Sequence, residues 1–266
     1  MNLPHFFSID QTGRKVEFAG NVHRIVSVVP SQTELLADLD LEEEVVGITK
    51  FCIHPDKWFR NKKRVGGTKD LNLDIIRSLK PDLILANKEE NTREQLEALQ
   101  NDFPVWISDI QKLEDALMMI HSVGVLTNKE YNAALLAEEI TNNFAKLPPT
   151  HNLKKAVYLI WHQPMMIAGG DTFINDMLKY AEFENVAASR KRYPVLTNEE
   201  VNSLHPQYIL LSSEPFPFKE KHLVEYAALF PEAEIMLVDG EFFSWYGSRL
   251  KDAPDYFRYL SGSLKH

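Results

Sequence analysis

Short apolar runs alternate with amphipathic segments along the chain. The runs are rich in β-branched residues, which is typical of buried strands, and the segments carry apolar residues every three or four positions, which is typical of helices. Ser31 and Glu34 have the spacing of a capping box, which predicts the start of a helix. Strands that alternate with helices form parallel sheets, so we predict an α/β protein. The pattern predicts a hairpin over 6–18, strands over 24–29, 45–49, 83–86, 105–108, 156–161, 208–212 and 235–238, and helices over 31–39 and 91–99.

The longest predicted helix covers residues 127–147, in the middle of the chain. Thr127 and Glu130 have the Thr-x-x-Glu spacing of a second capping box. Two prolines follow Leu147 and end the helix, because proline lacks a backbone donor and clashes with the preceding turn. At about 1.5 Å per residue, this helix would span roughly 30 Å, the width of a small domain.

Similar sequence occurs on both sides of this helix. Residues 71–85 align with residues 196–210 at a constant offset of 125, and Ser-Leu-x-Pro recurs in register. Each copy predicts a helix cap (Asn72 or Thr197), a short helix, a proline and a buried strand. Any α/β chain reuses this order, but the match also fits two similar lobes, and we adopt the two-lobe interpretation. It gives an N-terminal α/β lobe over 1–126, a connecting helix over 127–147 and a C-terminal α/β lobe over 148–266.

The repeat also pairs two acidic residues. Asp74 and Glu199 each lie two residues after the predicted cap of their helix. An acid in the first turn suits the helix dipole, which alone would explain both residues. Two matched acids, one on each lobe, would equally form a symmetric docking surface.

Composition and charge narrow the classes of partner. The net charge of −9 argues against nucleic acid or an anionic membrane as the main partner, and no apolar run has the length of a membrane span. Cys52 is the only cysteine, so an intrachain disulfide is excluded. The first residues lack the features of a signal peptide, so we expect either a cytoplasmic protein or the mature form of an exported one. We expect a monomer.

The predicted ligand site lies in the loops that follow the strands, where open parallel sheets bind their ligands. These loops are rich in aromatic residues, and such side chains predict a broad, flat and partly apolar ligand. Cys52 and His54 with His162 and Glu241 would allow a transition-metal site, but no spacing is that of a zinc motif, so we assign no metal site. His54 would instead contact the metal of a chelate. The candidate ligand-binding residues are Phe51, His54, Trp161, His162, Tyr193, Glu241, Phe242, Trp245 and Arg249.

Several motifs together resemble a known family. Arg24-Ile-Val-Ser-Val-Val-Pro-Ser-Gln-Thr-Glu-Leu-Leu, Val65-Gly-Gly-Thr, Leu71-Asn-Leu-Asp and Lys80-Pro-Asp-Leu-Ile-Leu-Ala are similar to segments of the class III periplasmic substrate-binding proteins of ABC importers, the helical backbone metal receptor superfamily. That family binds cobalamin, iron-siderophores or haem, and the cobalamin-binding branch is the most similar. The resemblance implies two α/β lobes with parallel central sheets joined by one long α-helix, and a location in the periplasm or cell envelope.

The resemblance also implies roles for individual residues. Phe51, Tyr193, Glu241 and Phe242 fall on pocket positions of the cobalamin-binding branch. Asp74 and Glu199 fall on the paired acids that meet arginines of the permease. The chain departs from the branch at Thr68 and Asn87, where the branch carries tryptophan, and at Trp245, where it carries a pocket arginine and this chain has Arg249 further on.

Three functions follow from these observations. The first is a non-catalytic substrate-binding protein that holds a corrinoid or a similar metal chelate between its lobes, without a covalent cofactor, and delivers it to an ABC permease. The ligand would alternatively be an iron-siderophore or haem. The second function is a cytoplasmic metal- or cofactor-binding protein on the same scaffold. The third is a docking module that acts through Asp74 and Glu199.

Overall fold

The chain divides into two compact units. The structure is a computed structural model that describes residues 6–149 and 152–264. The first unit comprises the residues up to Asp109, Glu114–Glu139 and Tyr246–Arg249. The second comprises Ile110–Leu113, Ile140–Trp245 and the residues from Leu250. Within the described ranges, no helix is long and apolar enough to cross a membrane.

The first unit is built on a five-stranded parallel sheet with the order β5-β4-β3-β6-β7. Every residue of β3, β6 and β7 is buried, which explains why each strand is apolar up to its last residue, a serine or an asparagine. A separate antiparallel hairpin, β1-β2, precedes the sheet. The elements are β1 Phe6–Ile9, β2 Lys15–Phe18, β3 Ile25–Ser27, α1 Pro30–Asp38, β4 Val45–Ile48, α2 Asp56–Asn61, β5 Lys63–Arg64, α3 Leu73–Leu79, β6 Leu83–Asn87, α4 Arg93–Gln100, β7 Val105–Ser108, α5 Leu113–Leu126 and α6 Glu130–Ala145, which continues into the second unit.

The second unit is built on the parallel strand order β10-β8-β11-β12, with β9 antiparallel to β8. The predicted α/β class is confirmed: one mainly parallel sheet is formed by strands that precede the middle helix in the sequence, and another by strands that follow it. The elements are β8 Lys154–Trp161, β9 Met166–Ile167, α7 Phe173–Tyr180, β10 Phe183–Asn185, α8 Asn198–Ser203, β11 Tyr208–Ser212, α9 Glu220–Leu229, β12 Glu234–Val238, α10 Glu241–Ser244, a 3-10 helix Ser248–Lys251 and α11 Ala253–Gly262.

The repeated sequence folds into the same local structure in both units. Side-chain oxygens of Asn72 and Thr197 accept the backbone N–H groups of the first turns of α3 and α8, as predicted. After each helix the chain passes through a left-handed residue, Lys80 with φ 47° and His205 with φ 48°. A proline follows in each copy and stops the helix.

The repeat also fixes the next strand by the same hydrogen bond. The backbone N–H of Asp82 donates to the carbonyl of Arg24 at 2.8 Å, and that of Gln207 donates to the carbonyl of Lys155 at 2.8 Å. In both units the strand that ends the repeat, β6 or β11, then pairs with the central strand, β3 or β8. The repeated segment therefore sets the register of β6 against β3 in the first unit and of β11 against β8 in the second.

The middle helix differs from its prediction at its start. Helix α6 is 16 residues long and begins at Glu130, and the 14-residue α5 precedes it. The Thr127 hydroxyl donates to the carbonyl of Val123 at 2.7 Å, so Thr127 closes α5 and the predicted capping box with Glu130 is wrong. The cause is the turn that ends α5. Asn128 is left-handed, with φ 56°, and the backbone N–H of Lys129 donates to the carbonyl of Gly124 at 2.8 Å, so the chain turns before α6 begins. A Cβ on Gly124 would lie 2.5 Å from the Cβ of Ala133, so the glycine allows the two helices to pack closely after this turn.

The predicted capping box of Ser31 and Glu34 is also wrong. Helix α1 begins at Pro30, and its N-cap residue, Val29, makes no side-chain cap. Proline suits the first helical position because its φ is preset and its missing donor would be unpaired there. Ser31 therefore lies inside the helix, and the Glu34 carboxylate binds Arg249.

Candidate functional site

Phe51 forms an exposed aromatic surface in the first unit. It follows β4, and 51% of its surface is exposed. The ammonium group of Lys50 lies 5.1 Å from the ring centroid. A Cβ on Gly67 would lie 3.1 Å from the Phe51 ring, so the glycine lets the ring lie against the backbone. The ring is thus held on one side and open on the other.

Cys52 is a buried residue of the first unit. The Thr33 hydroxyl donates to its sulfur at 3.0 Å, and the Thr49 hydroxyl oxygen lies 3.1 Å from it. Burial raises the pKa of the thiol, which disfavours the thiolate that a metal requires. The transition-metal alternative that includes Cys52 therefore stays unassigned. His54, two residues later, is half-buried and precedes a cis proline.

Asn87 belongs to a buried polar network at the end of β6. Its side-chain amide donates to the Ser108 hydroxyl oxygen at 2.9 Å, and the Gln32 amide donates to the same oxygen at 2.7 Å. The side-chain NH₂ of Asn91 donates to the backbone carbonyl of Thr68 at 3.0 Å. The side-chain oxygen of Asn91 accepts the backbone N–H of Asn87 at 2.8 Å. Thr68 and Asn87, the two positions at which the cobalamin-binding branch carries tryptophan, therefore belong to a hydrogen-bonded polar network. They offer no aromatic surface.

Arg249 is paired within the first unit. Its Nε donates to Oε2 of Glu34 at 3.1 Å and its Nη2 donates to Oε1 at 2.5 Å. Both side chains are about one-fifth exposed. A Cβ on Gly247 would lie 2.3 Å from the carbonyl oxygen of Ser31, so this segment packs closely on α1. The Arg249 charge, predicted to meet a ligand, is already neutralised by a carboxylate.

Trp161 forms the corresponding exposed surface of the second unit. It ends β8, is 39% exposed, and donates its indole N–H to the carbonyl of Gln163 at 3.1 Å. Its ring meets Phe216 edge-on, with centroids 5.7 Å apart. Phe216 in turn meets Phe218 at 4.8 Å. The exposed Trp161 indole therefore packs on Phe216, which packs on Phe218 in turn.

His162 lies in a cluster of polar side chains beside Phe216 and Phe218. Its Nδ1 lies 3.2 Å from the Tyr226 hydroxyl, its Nε2 lies 3.6 Å from Oε1 of Glu225, and its ring centroid lies 5.2 Å from that of His222. Ligand atoms of His162, His222 and Glu225 lie within 4.8 Å of one another, and in the described part of the chain no other group of His, Cys, Asp and Glu meets this criterion. These three residues are the ones that could hold a metal.

Burial sets the protonation of this cluster. It lowers the pKa of His222, and the nearby Lys221 and His162 lower it further, so the imidazole is neutral at pH 7. Its Nδ1 accepts the backbone N–H of Lys219 at 2.8 Å. Burial also raises the pKa of Tyr226 to about 12, so its hydroxyl keeps its proton.

Two aromatic residues that follow β12, Phe242 and Trp245, make their contacts inside the second unit. Trp245 is 6% exposed, and its indole N–H donates to Oε1 of Glu214 at 2.9 Å. Phe242 stacks on Tyr256 with centroids 4.6 Å apart. The predicted residues Glu241 and Tyr193 are half-buried. Phe51 and Trp161 are therefore the predicted aromatic residues with the largest exposed surface.

The two predicted docking acids occupy the second position of α3 and of α8. The Asp74 side chain is 96% exposed, and Nη1 of Arg77 lies 3.6 Å from its carboxylate. Glu199 is exposed, and hydrogen bonds from its own backbone N–H and from the Thr197 hydroxyl lower the pKa of its carboxyl. Both side chains are therefore accessible from solvent.

Two residues of the polar cluster were not predicted from the sequence. His222 and Glu225 lie three positions apart on α9, a spacing that puts both side chains on one helix face. The signal that would have found them is this His-x-x-Glu spacing. No helix was predicted over 220–229, so the spacing had no structural context.

A protein family and several known proteins are similar to most of this chain. Residues 25–225 match the model of the periplasmic binding protein family. An uncharacterised ABC transporter substrate-binding lipoprotein of Bacillus subtilis is 26% identical over 215 residues, which cover 76% of this chain and 67% of that protein. A vitamin B12-binding protein of Pectobacterium carotovorum is 24% identical over 199 residues, which cover 72% of each. The apo structure of a periplasmic haem-binding protein of Roseiflexus sp. RS-1 has a TM-score of 0.76 and 20% identity, with 91% of this chain and 100% of that chain covered.

Proposed function

Because the chain belongs to the periplasmic binding protein family, we propose that it is the substrate-binding component of an ABC importer and that it binds a corrinoid such as cobalamin. The family match confirms the resemblance that the sequence motifs predict. The transport role is supported by the relative named as an ABC transporter substrate-binding lipoprotein, and the corrinoid by the relative named as a vitamin B12-binding protein. The proposed role is non-catalytic.

The observation that carries the ligand class is the pair of exposed aromatic side chains at the carboxyl ends of strands, one in each unit. Phe51 is 51% exposed and Trp161 is 39% exposed, although such side chains gain about 1.5–3 kcal/mol when fully buried. Each of these exposed rings suits a broad, flat and partly apolar ligand. A corrinoid fits this description, as does haem. A ferric siderophore is the third candidate.

Equilibrium titration tests this proposal. The purified protein is titrated with cyanocobalamin, with haemin and with a ferric hydroxamate siderophore, and quenching of tryptophan fluorescence is followed. We expect saturable binding of cyanocobalamin in the micromolar range or tighter. Preferential binding of haemin or of the siderophore would show that the ligand is not a corrinoid. The absence of saturable binding of all three compounds would contradict the proposed function.

We further propose that Asp74 and Glu199 contact an ABC permease. Each is an exposed acid at the second position of an equivalent helix, so the two units present the same charge in the same local setting. The test compares Asp74→Asn/Glu199→Gln with Glu94→Gln/Glu220→Gln, which alters exposed acids in the first turns of α4 and α9. The first double variant should lose binding to its permease in nanodiscs and keep ligand binding. Equal retention of permease binding by the two double variants would contradict the docking role.

We also propose that the protein acts as a monomer in the cell envelope. The relatives with periplasmic or lipoprotein names support this location. Fractionation of cells that express the full natural gene, together with light scattering of the purified protein, checks both statements. Recovery in the cytoplasm would favour a cofactor-handling role on the same scaffold.

A further inference from the structure

We propose that His162, His222 and Glu225 form a binding site for a divalent first-row transition-metal ion, with Zn²⁺ as the expected occupant. The three side chains bring their ligand atoms within 4.8 Å of one another. His162 comes from the loop after β8, whereas His222 and Glu225 come from one face of α9. The ion would therefore tie a strand-end loop to a helix. This inference does not depend on the identity of the transported ligand.

The set of donor atoms selects the class of metal. Two imidazole nitrogens and one carboxylate oxygen suit Zn²⁺ and similar ions, whereas Mg²⁺ and Ca²⁺ prefer oxygen ligands alone. Three protein ligands leave one position of a tetrahedral ion for water. The Glu225 side chain is 43% exposed and that of His162 is 19% exposed, so an ion can enter from solvent.

The surroundings of the three side chains support a metal site. The Phe216 ring lies 5.3 Å from that of His162 and 5.4 Å from that of His222, and these apolar neighbours strengthen electrostatic attraction by excluding water. The Tyr226 hydroxyl lies 3.2 Å from Nδ1 of His162. It can accept the Nδ1–H of an imidazole that binds the ion through Nε2, which is the usual role of a second hydrogen-bond partner.

Binding has two costs. Tetrahedral zinc with Zn–N distances of about 2.0–2.1 Å holds its ligand atoms roughly 3.3 Å apart, so the cluster must contract by up to about 1.5 Å. Coordination through Nε2 of His222 also moves its proton to Nδ1, so the Lys219 N–H loses its acceptor. Coordination by the three side chains must therefore outweigh the loss of one neutral hydrogen bond.

The test uses protein without a polyhistidine tag, stripped with a chelator and titrated with Co²⁺. We expect one equivalent of Co²⁺ to give visible absorption bands of a low-coordinate ion, and Zn²⁺ to abolish them. Glu225→Gln removes one ligand at a partly exposed position. His222→Asn removes Nε2 and keeps an acceptor for the Lys219 N–H. Each should weaken Co²⁺ affinity by at least about tenfold.

Matched controls separate this site from general binding to surface residues. His121→Asn alters an exposed histidine on α5 and Glu220→Gln alters an exposed acid on α9, and both should keep full affinity. Circular dichroism verifies that each variant is folded. The proposal is overturned if wild-type protein takes up no Co²⁺ saturably, or if Glu225→Gln and His222→Asn bind it as tightly as the two controls.

Discussion

Trp245 donates its indole N–H to Oε1 of Glu214 at 2.9 Å, inside the second unit. The hydroxyl of Ser244 donates to the same oxygen at 2.5 Å. A Cβ on Gly240 would lie 2.7 Å from Cγ of Glu214, so the chain after β12 approaches this side chain very closely. One carboxylate therefore anchors a segment whose aromatic content had predicted a ligand pocket.

Removing that carboxylate should destabilise the second unit. In Glu214→Ala the Trp245 indole N–H loses its Glu214 acceptor, and a buried unpaired polar group costs about 1–3 kcal/mol. The Ser244 hydroxyl keeps the carbonyl of Gly240, at 2.9 Å, as an acceptor. We expect Tm in thermal denaturation to fall by several degrees. Glu232→Ala, which truncates an exposed glutamate of the same unit, should change Tm little. Equal Tm values for the two variants would show that the Glu214 contacts contribute nothing.

The ion pair of Arg249 and Glu34 should stabilise the first unit cooperatively. Both side chains are about one-fifth exposed, so solvent screens the pair only partly. A double-mutant cycle with Arg249→Gln and Glu34→Gln, followed by urea denaturation, should give a coupling energy of about 1–3 kcal/mol. Strictly additive effects of the two substitutions would contradict this pairing.

His222 should make stability depend on pH. Burial and the nearby Lys221 and His162 lower its pKa, whereas Glu225 opposes this effect. The unfolded chain therefore binds more protons than the folded one as pH falls below about 6.5, and folding stability falls with it. In the presence of a chelator, Tm of the wild type should drop more between pH 7.5 and pH 5.5 than Tm of His222→Asn. Parallel changes in the two proteins would exclude His222 as the cause.

Most strands could be predicted from the sequence because they are buried on both faces. The strands Val105–Ser108 and Tyr208–Ser212 agree with their predictions residue by residue. Caps were harder to predict. Thr127 with Glu130 and Thr197 with Glu200 have the same spacing, yet only the second pair forms a capping box. The first pair differs because Asn128, which lies between its members, is left-handed with φ 56° and ends α5, and spacing does not encode this turn.

The candidate site could be predicted only in part. The positions of the loops after the predicted strands identified Phe51 and Trp161, which are exposed. The same reasoning also selected Trp245, which is buried, because sequence does not reveal that Glu214 is its hydrogen-bond partner. His222 and Glu225 were missed because their shared helix face can be recognised only if α9 is predicted, and the apolar pattern did not predict this helix.

The exposed aromatic residues provide the most direct test of the ligand assignment. Isothermal titration calorimetry with cyanocobalamin compares the wild type, Phe51→Ala, Trp161→Ala and the control Tyr131→Ala, which truncates a tyrosine of α6 that is 75% exposed. Burial of an aromatic side chain contributes about 1.5–3 kcal/mol, so each of the first two variants should bind at least about tenfold more weakly. Tyr131→Ala should bind like the wild type. Wild-type affinity in both Phe51→Ala and Trp161→Ala, or no binding by the wild type itself, would contradict the assignment.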